Sequence, residues 1–139
     1  MENKDLKKAL ELLGEHRAAF VSGEKTLVSD ARGVRFLMSL IKNGTNVSDY
    51  VAADRIVGKA SAFLYVYLDV KTLHAFLTTH KAIAYLEKNG VTFTYDKAVD
   101  VILSNDGVNP CPIEQAVRSA KTAEQAIAAI KNKLAEMAT

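Results

Sequence analysis

Two short stretches hold the residues best suited to chemistry, Gly58-Lys59-Ala60-Ser61 and Cys111-Pro112-Ile113-Glu114. A lysine among apolar residues either threads its stem through the core and leaves its ammonium in water, or is desolvated in a pocket. In the second case it loses proton affinity and serves as a base, forms a Schiff base with an aldehyde sugar, or pairs with phosphate. Gly58 permits close approach of a ligand or of neighbouring backbone. A helix beginning there would draw an anion toward Gly58, Lys59 and Ser61 through its free N–H groups. In the second stretch Pro112 suits the first position of a helix, and Glu114 the third, where its carboxylate accepts from the cap backbone. Cys111 would then be either a buried thiol or one activated by the helix start and a nearby Lys59. Lys59, Cys111 and Glu114 are therefore the expected catalytic candidates, if the fold unites them.

The expected ligand-binding set is Asp54, Gly58, Ser61, Asp106 and Asn109. Asp54 is read as the N-cap of the helix carrying Lys59. Asp106 and Asn109, with Asn105, come from SNDGVN, where Asx and Gly residues commonly build a turn. The string GKAS is no phosphate loop, because Ala53 stands where that motif needs glycine and Ala60 where it needs Ser or Thr. His74 inside a strand and His80 at a helix start read as structural. Tyr65 and Tyr67, two positions apart on a helix, point in different directions.

The elements that must position these residues follow from periodicity. Leu6, Leu10 and Leu13 mark a first amphipathic helix ended by Gly14. AAFVS and TLVS, joined across Gly23, read as a β-hairpin, and Val34, Leu37, Met38 and Ile41 as a second helix. From Ile56 to Leu68 apolar residues wrap the whole helical circumference, which predicts a central buried helix. Leu73–Thr78 reads as a strand, Ala82–Lys88 as a helix, and VTFTY as a strand. A short helix opens at Pro112, and a last one follows a capping box of Thr122 and Gln125. Strand-helix-strand alternation favours parallel neighbours with helices on both sheet faces.

The chain has 139 residues, 49% hydrophobic and 24% charged, which suits a single domain over 1–139. A net charge of +2 and scattered Tyr and Phe offer no basic, aromatic-studded face for nucleic acid. Charges in the first residues and the absence of a long apolar run point away from a signal peptide and from the membrane, so a cytoplasmic location is expected. One cysteine, Cys111, cannot close an intramolecular disulfide.

With Gly58-Lys59-Ala60-Ser61 and Cys111-Pro112-Ile113-Glu114 in this order, and with this order of elements, the chain resembles a small zinc-less branch of the cytidine deaminase-like fold. The resemblance implies an α/β, three-layer α/β/α sandwich, and a homo-oligomer. Zinc deaminases need an H-x-E motif and P-C-x-x-C. Here Gly58-Lys59-Ala60 and Thr78-Thr79-His80-Lys81-Ala82 stand near those places, neither matches, and one cysteine cannot supply two thiolates. No zinc or other cofactor is expected. The expectation is a domain that binds a nucleotide or phosphorylated sugar in the vacated pocket. An enzyme using Lys59 or Cys111, or a structural interaction protein, are the alternatives.

Overall fold

The computed structural model describes residues 3–31, 33–104 and 106–138. Its elements are α1 (Lys4–Leu13), β1 (Ala18–Ser22), β2 (Lys25–Ser29), α2 (Arg35–Lys42), β3 (Val51–Val57) and α3 (Lys59–Tyr67). They continue with β4 (Thr72–Thr79), α4 (His80–Lys88), β5 (Thr92–Val99), α5 (Pro112–Ala116) and α6 (Ala123–Met137). The strands form one sheet in the order β2-β1-β3-β4-β5. The hairpin β1-β2 pairs antiparallel, with Gly23 in its two-residue turn at a φ of +62° that favours glycine. β1 also runs antiparallel to β3, while β3, β4 and β5 are parallel and joined by α3 and α4.

One expected helix begins too early, and the strand ahead of it was not expected. Ile56–Leu68 is not a single helix capped by Asp54: Val51–Val57 is the central strand, the chain turns at Gly58, and α3 begins at Lys59. The reason lies in burial. β3 has a strand on each edge and helices on both faces, so it carries apolar residues on both sides. Where such a strand runs straight into a helix that is itself buried all round, no period separates them. The strand phase is nevertheless clear in three dimensions. Ala53 meets Ala19, Val21 and the α1 residues Ala9, Leu12 and Leu13, while Ala52 joins Phe20 and the α3 side chains on the opposite face.

Helices thus cover both faces of the sheet, and the fold is α/β. α3 packs against β3, α2, α4, α5 and α6, and every residue from Ala60 to Tyr65 is buried. Side-chain caps fix the flanking helices: Thr79 Oγ1 accepts from Ala82 N–H, and Thr122 Oγ1 from Gln125 N–H, both at 3.2 Å. The Gln125 amide oxygen reaches Lys121 N–H at 2.8 Å, one residue ahead of the cap it was expected to bond. Among the described residues no helix is long and apolar enough to cross a membrane.

Candidate functional site

A cavity of about 690 Å³ opens where β3 ends, the location at which open α/β sheets commonly hold ligands. Its apolar wall comes from Ala18, from Val34, Phe36 and Leu37 around the start of α2, and from Ile102, Ile113 and Met137. Asp54, Ser61, Asp106, Cys111 and Glu114 supply polar groups, and Arg17 and Arg35 supply cations. The side chains of Arg17 and Arg35 make no hydrogen bond or ion pair among the described residues. Arg55 also borders the cavity, but its guanidinium is committed to the carbonyls of His16 and Leu13 at 3.0 and 3.2 Å.

Asp54 is the buried, strongly perturbed acid there. As a β3 residue it lies four positions ahead of the true cap of α3, Gly58, so its side chain is free to serve the cavity instead. Tyr65 Oη donates to Asp54 Oδ2 at 2.7 Å, Oδ1 receives a long 3.4 Å contact from Ile56 N–H, and the Arg55 backbone also acts on the carboxyl. Burial pushes the carboxyl up to about 6, against the opposing pull of the Tyr65 and backbone hydrogen bonds. The Tyr65 phenol is raised well above its ordinary value, first by burial and then by the Asp54 charge. Its ring stacks on Phe20 with centroids 5.9 Å apart, so the donor is held in place by the core.

The N-terminus of α3, expected to attract phosphate, already holds an anion. Glu114 Oε1 accepts from Lys59 N–H at 2.8 Å and Oε2 from Ala60 N–H at 2.9 Å. A carboxylate satisfying two free N–H groups at the positive end of a helix is strongly placed. Gly58 is needed for this approach rather than for its backbone angles. A Cβ there would lie 2.3 Å from Glu114 Oε1 and 2.7 Å from Ile102 Cδ1. Glu114 therefore caps a helix distant in sequence, not its own, whose start is held by Cys111 N–H donating to Ile102 O at 2.9 Å. On the same turn of α3, Ser61 is 6% exposed and lines the cavity, and its hydroxyl has no protein partner among the described residues.

The expected trio is only partly assembled. Cys111 and Glu114 line the cavity, while Lys59 meets Glu114 through its backbone alone. The Lys59 ammonium turns away, donating to Arg118 O at 3.0 Å and lying 5.6 Å from the Phe63 ring centre. Desolvation and then Lys81 lower its proton affinity, and Glu114 opposes them. Asp106 organises its own loop. It accepts from Ser104 Oγ, Val108 N–H, Asn109 N–H and Asn109 Nδ2, all between 2.7 and 2.9 Å, which hold its carboxyl well below the usual range. Asn109 serves that loop and does not line the cavity, and Asn105 lies outside the described residues. His74 bonds Thr94 and Asp96 across β4 and β5, and His80, first residue of α4, bonds Asp100. Tyr67 is exposed where Tyr65 is buried. No group of three or more His, Cys, Asp or Glu able to hold a metal occurs among the described residues.

Sequence reasoning missed the Asp54–Tyr65 pair, along with Arg17 and Arg35. The signal for Asp54 was a lone carboxylate within VAADRIV, a run too apolar to be a loop.

A solved DUF1893 family protein, TM1506 from Thermotoga maritima, is similar to this chain at 25% identity, with a TM-score of 0.84. The likeness covers 96% of this chain and 92% of that one. No curated protein matches the chain. These findings overturn the resemblance to the cytidine deaminase-like family, of which neither comparison gives any indication. The two motifs that suggested it have a local explanation: Gly58 makes room for Glu114, and Glu114 caps α3. Residues 8–134 match the family described as a domain of unknown function, DUF1893, and the chain belongs to that family.

Proposed function

We propose that this domain binds a nucleotide or phosphorylated sugar in the cavity at the end of β3, as a sensor or carrier. The observation that carries this reading is the cavity itself, about 690 Å³ of largely apolar wall facing the Asp54 carboxyl. Small-molecule sites commonly combine such a volume with a few convergent polar groups. A group with a shifted proton affinity inside a cleft adds to the case. Arg17 and Arg35, with no protein partners among the described residues, suit a phosphate. The start of α2, which has no side-chain cap, lies on the same wall. Phosphate is thus assigned to the α2 side of the cavity, since Glu114 repels anions from α3.

The test is a thermal-shift panel of nucleoside monophosphates, sugar phosphates and inorganic phosphate on the wild type and on an Arg17→Ala/Arg35→Ala variant. At least one organic phosphate should raise the melting temperature of the wild type, and the variant should respond less. A flat response to the whole panel would remove the proposal. Cys111 on the same wall keeps an enzymatic reading in play. A ligand-derived adduct on Cys111, seen by intact mass and peptide mapping, would favour that reading over a carrier.

A further inference from the structure

Given the proposed function, on which this inference rests, the question is which of its two ligand classes, nucleotides or sugar phosphates, the cavity lining suits. We propose that Asp54, oriented by Tyr65, selects a nucleotide whose base presents two adjacent N–H donors, the edge of a guanine-type base. Three observations lead there. First, an ionised carboxylate accepts only, and two oxygens side by side match a pair of parallel donors. Asp54 has Oδ2 fixed by the Tyr65 hydroxyl at 2.7 Å, while among the described residues the 3.4 Å contact from Ile56 N–H and a weaker pull from the Arg55 backbone leave acceptor capacity on the cavity side.

Second, the surrounding wall is built mainly of Ala, Val, Leu, Ile, Phe and Met side chains. A flat heterocycle is desolvated there at little loss, whereas a sugar ring would bury hydroxyls without partners. Third, the remaining polar groups are mostly engaged. Glu114 is bound to the α3 backbone and Asp106 to its own loop, so Asp54 and Ser61 are left to read the ligand.

The charges around Asp54 come from several elements. Tyr65 on α3 bonds it directly; Arg17 ahead of β1, Arg35 on α2, Glu114 on α5 and Asp106 in the preceding loop share the cavity; Arg55 turns to the α1 side. The carboxyl titrates near 6, so a donor-donor edge is favoured above that pH. A base with one donor and one acceptor, as in adenine, is matched instead by the protonated acid below it.

Isothermal titration with guanosine, inosine and adenosine 5′-monophosphates at pH 7.5 and pH 5 tests this directly. The guanine-to-adenine affinity ratio cancels the titration of the phosphate that the ligands share. That ratio should be at least about tenfold at pH 7.5, with inosine between, and should fall by at least about tenfold at pH 5, as the guanine edge loses the ionised acid and the adenine edge gains the protonated one. Asp54→Asn should make it independent of pH, and Tyr65→Phe should shrink it. Equal binding of the three nucleotides, or a preference that survives Asp54→Asn, overturns the inference and leaves the proposed function standing. Binding of sugar phosphates alone does the same. Absence of binding by every compound overturns both. If Asp54→Asn fails to fold, the pH dependence of the wild-type ratio decides.

Discussion

The strain that Asp54 places on the fold should appear as a pH-dependent effect of its replacement. Its carboxyl rises from 3.8 to about 6 on folding, roughly two pKa units, or about 3 kcal/mol of ionisation penalty at full deprotonation. A group whose folded value lies above its unfolded one binds more protons in the native state. The protein is therefore stabilised at low pH and loses that stability as pH rises from about 4 through about 6. Integrated between pH 4.5 and 7.5, the loss is about 2 kcal/mol. Asp54→Asn has no such ionisation, and its amide oxygen still accepts from the Tyr65 hydroxyl. Its amide NH2, facing the Ile56 N–H, costs about 1 kcal/mol at every pH. In urea unfolding followed by circular dichroism, the stability difference between Asn variant and wild type should shift toward the variant by about 2 kcal/mol from pH 4.5 to 7.5. A difference constant with pH, or one moving the other way, would refute the assignment of the burial penalty to Asp54.

Glu114→Ala should destabilise the domain by about 1–3 kcal/mol by leaving two N–H groups of α3 unmet. Gly58→Ala should cost a similar amount, about 1–3 kcal/mol, through overpacking on that carboxylate. The double variant should lose clearly less than the sum, because removing Glu114 vacates most of the space a Cβ needs; strict additivity in chemical denaturation would count against the packing described. Occupancy of the cavity should slow alkylation of Cys111, read by mass spectrometry with and without a nucleotide that binds; unchanged labelling would place the ligand elsewhere. Asp106→Ala should speed amide exchange at Val108 and Asn109 while sparing β3 and α3, and uniform protection would deny Asp106 its role in the loop.

The amphipathic helices, the hairpin and the alternating β4-α4-β5 segment were legible in the sequence because each carries its period in one short window. The Thr122 cap was legible for the same reason, since its partners lie within one turn. Gly58 and Glu114 were also marked as notable by residue type and motif. Their relation was not: a carboxylate satisfying N–H groups 54 and 55 residues away is set by how α5 docks beside α3. The same limit applies to Lys59, whose direction depends on where the Arg118 carbonyl comes to rest. Burial on both faces left β3 without a readable period and let its last two residues read as the start of the next helix, and with that the orientation of Asp54 was hidden. Sequence by itself determined which segments are apolar and where turns fall. Only the tertiary structure decided that an anion site at a helix start is filled from within, and that a strand carboxylate meets a buried tyrosine beside a cavity. Those outcomes depend on distances between segments far apart in the chain, which local periodicity does not encode.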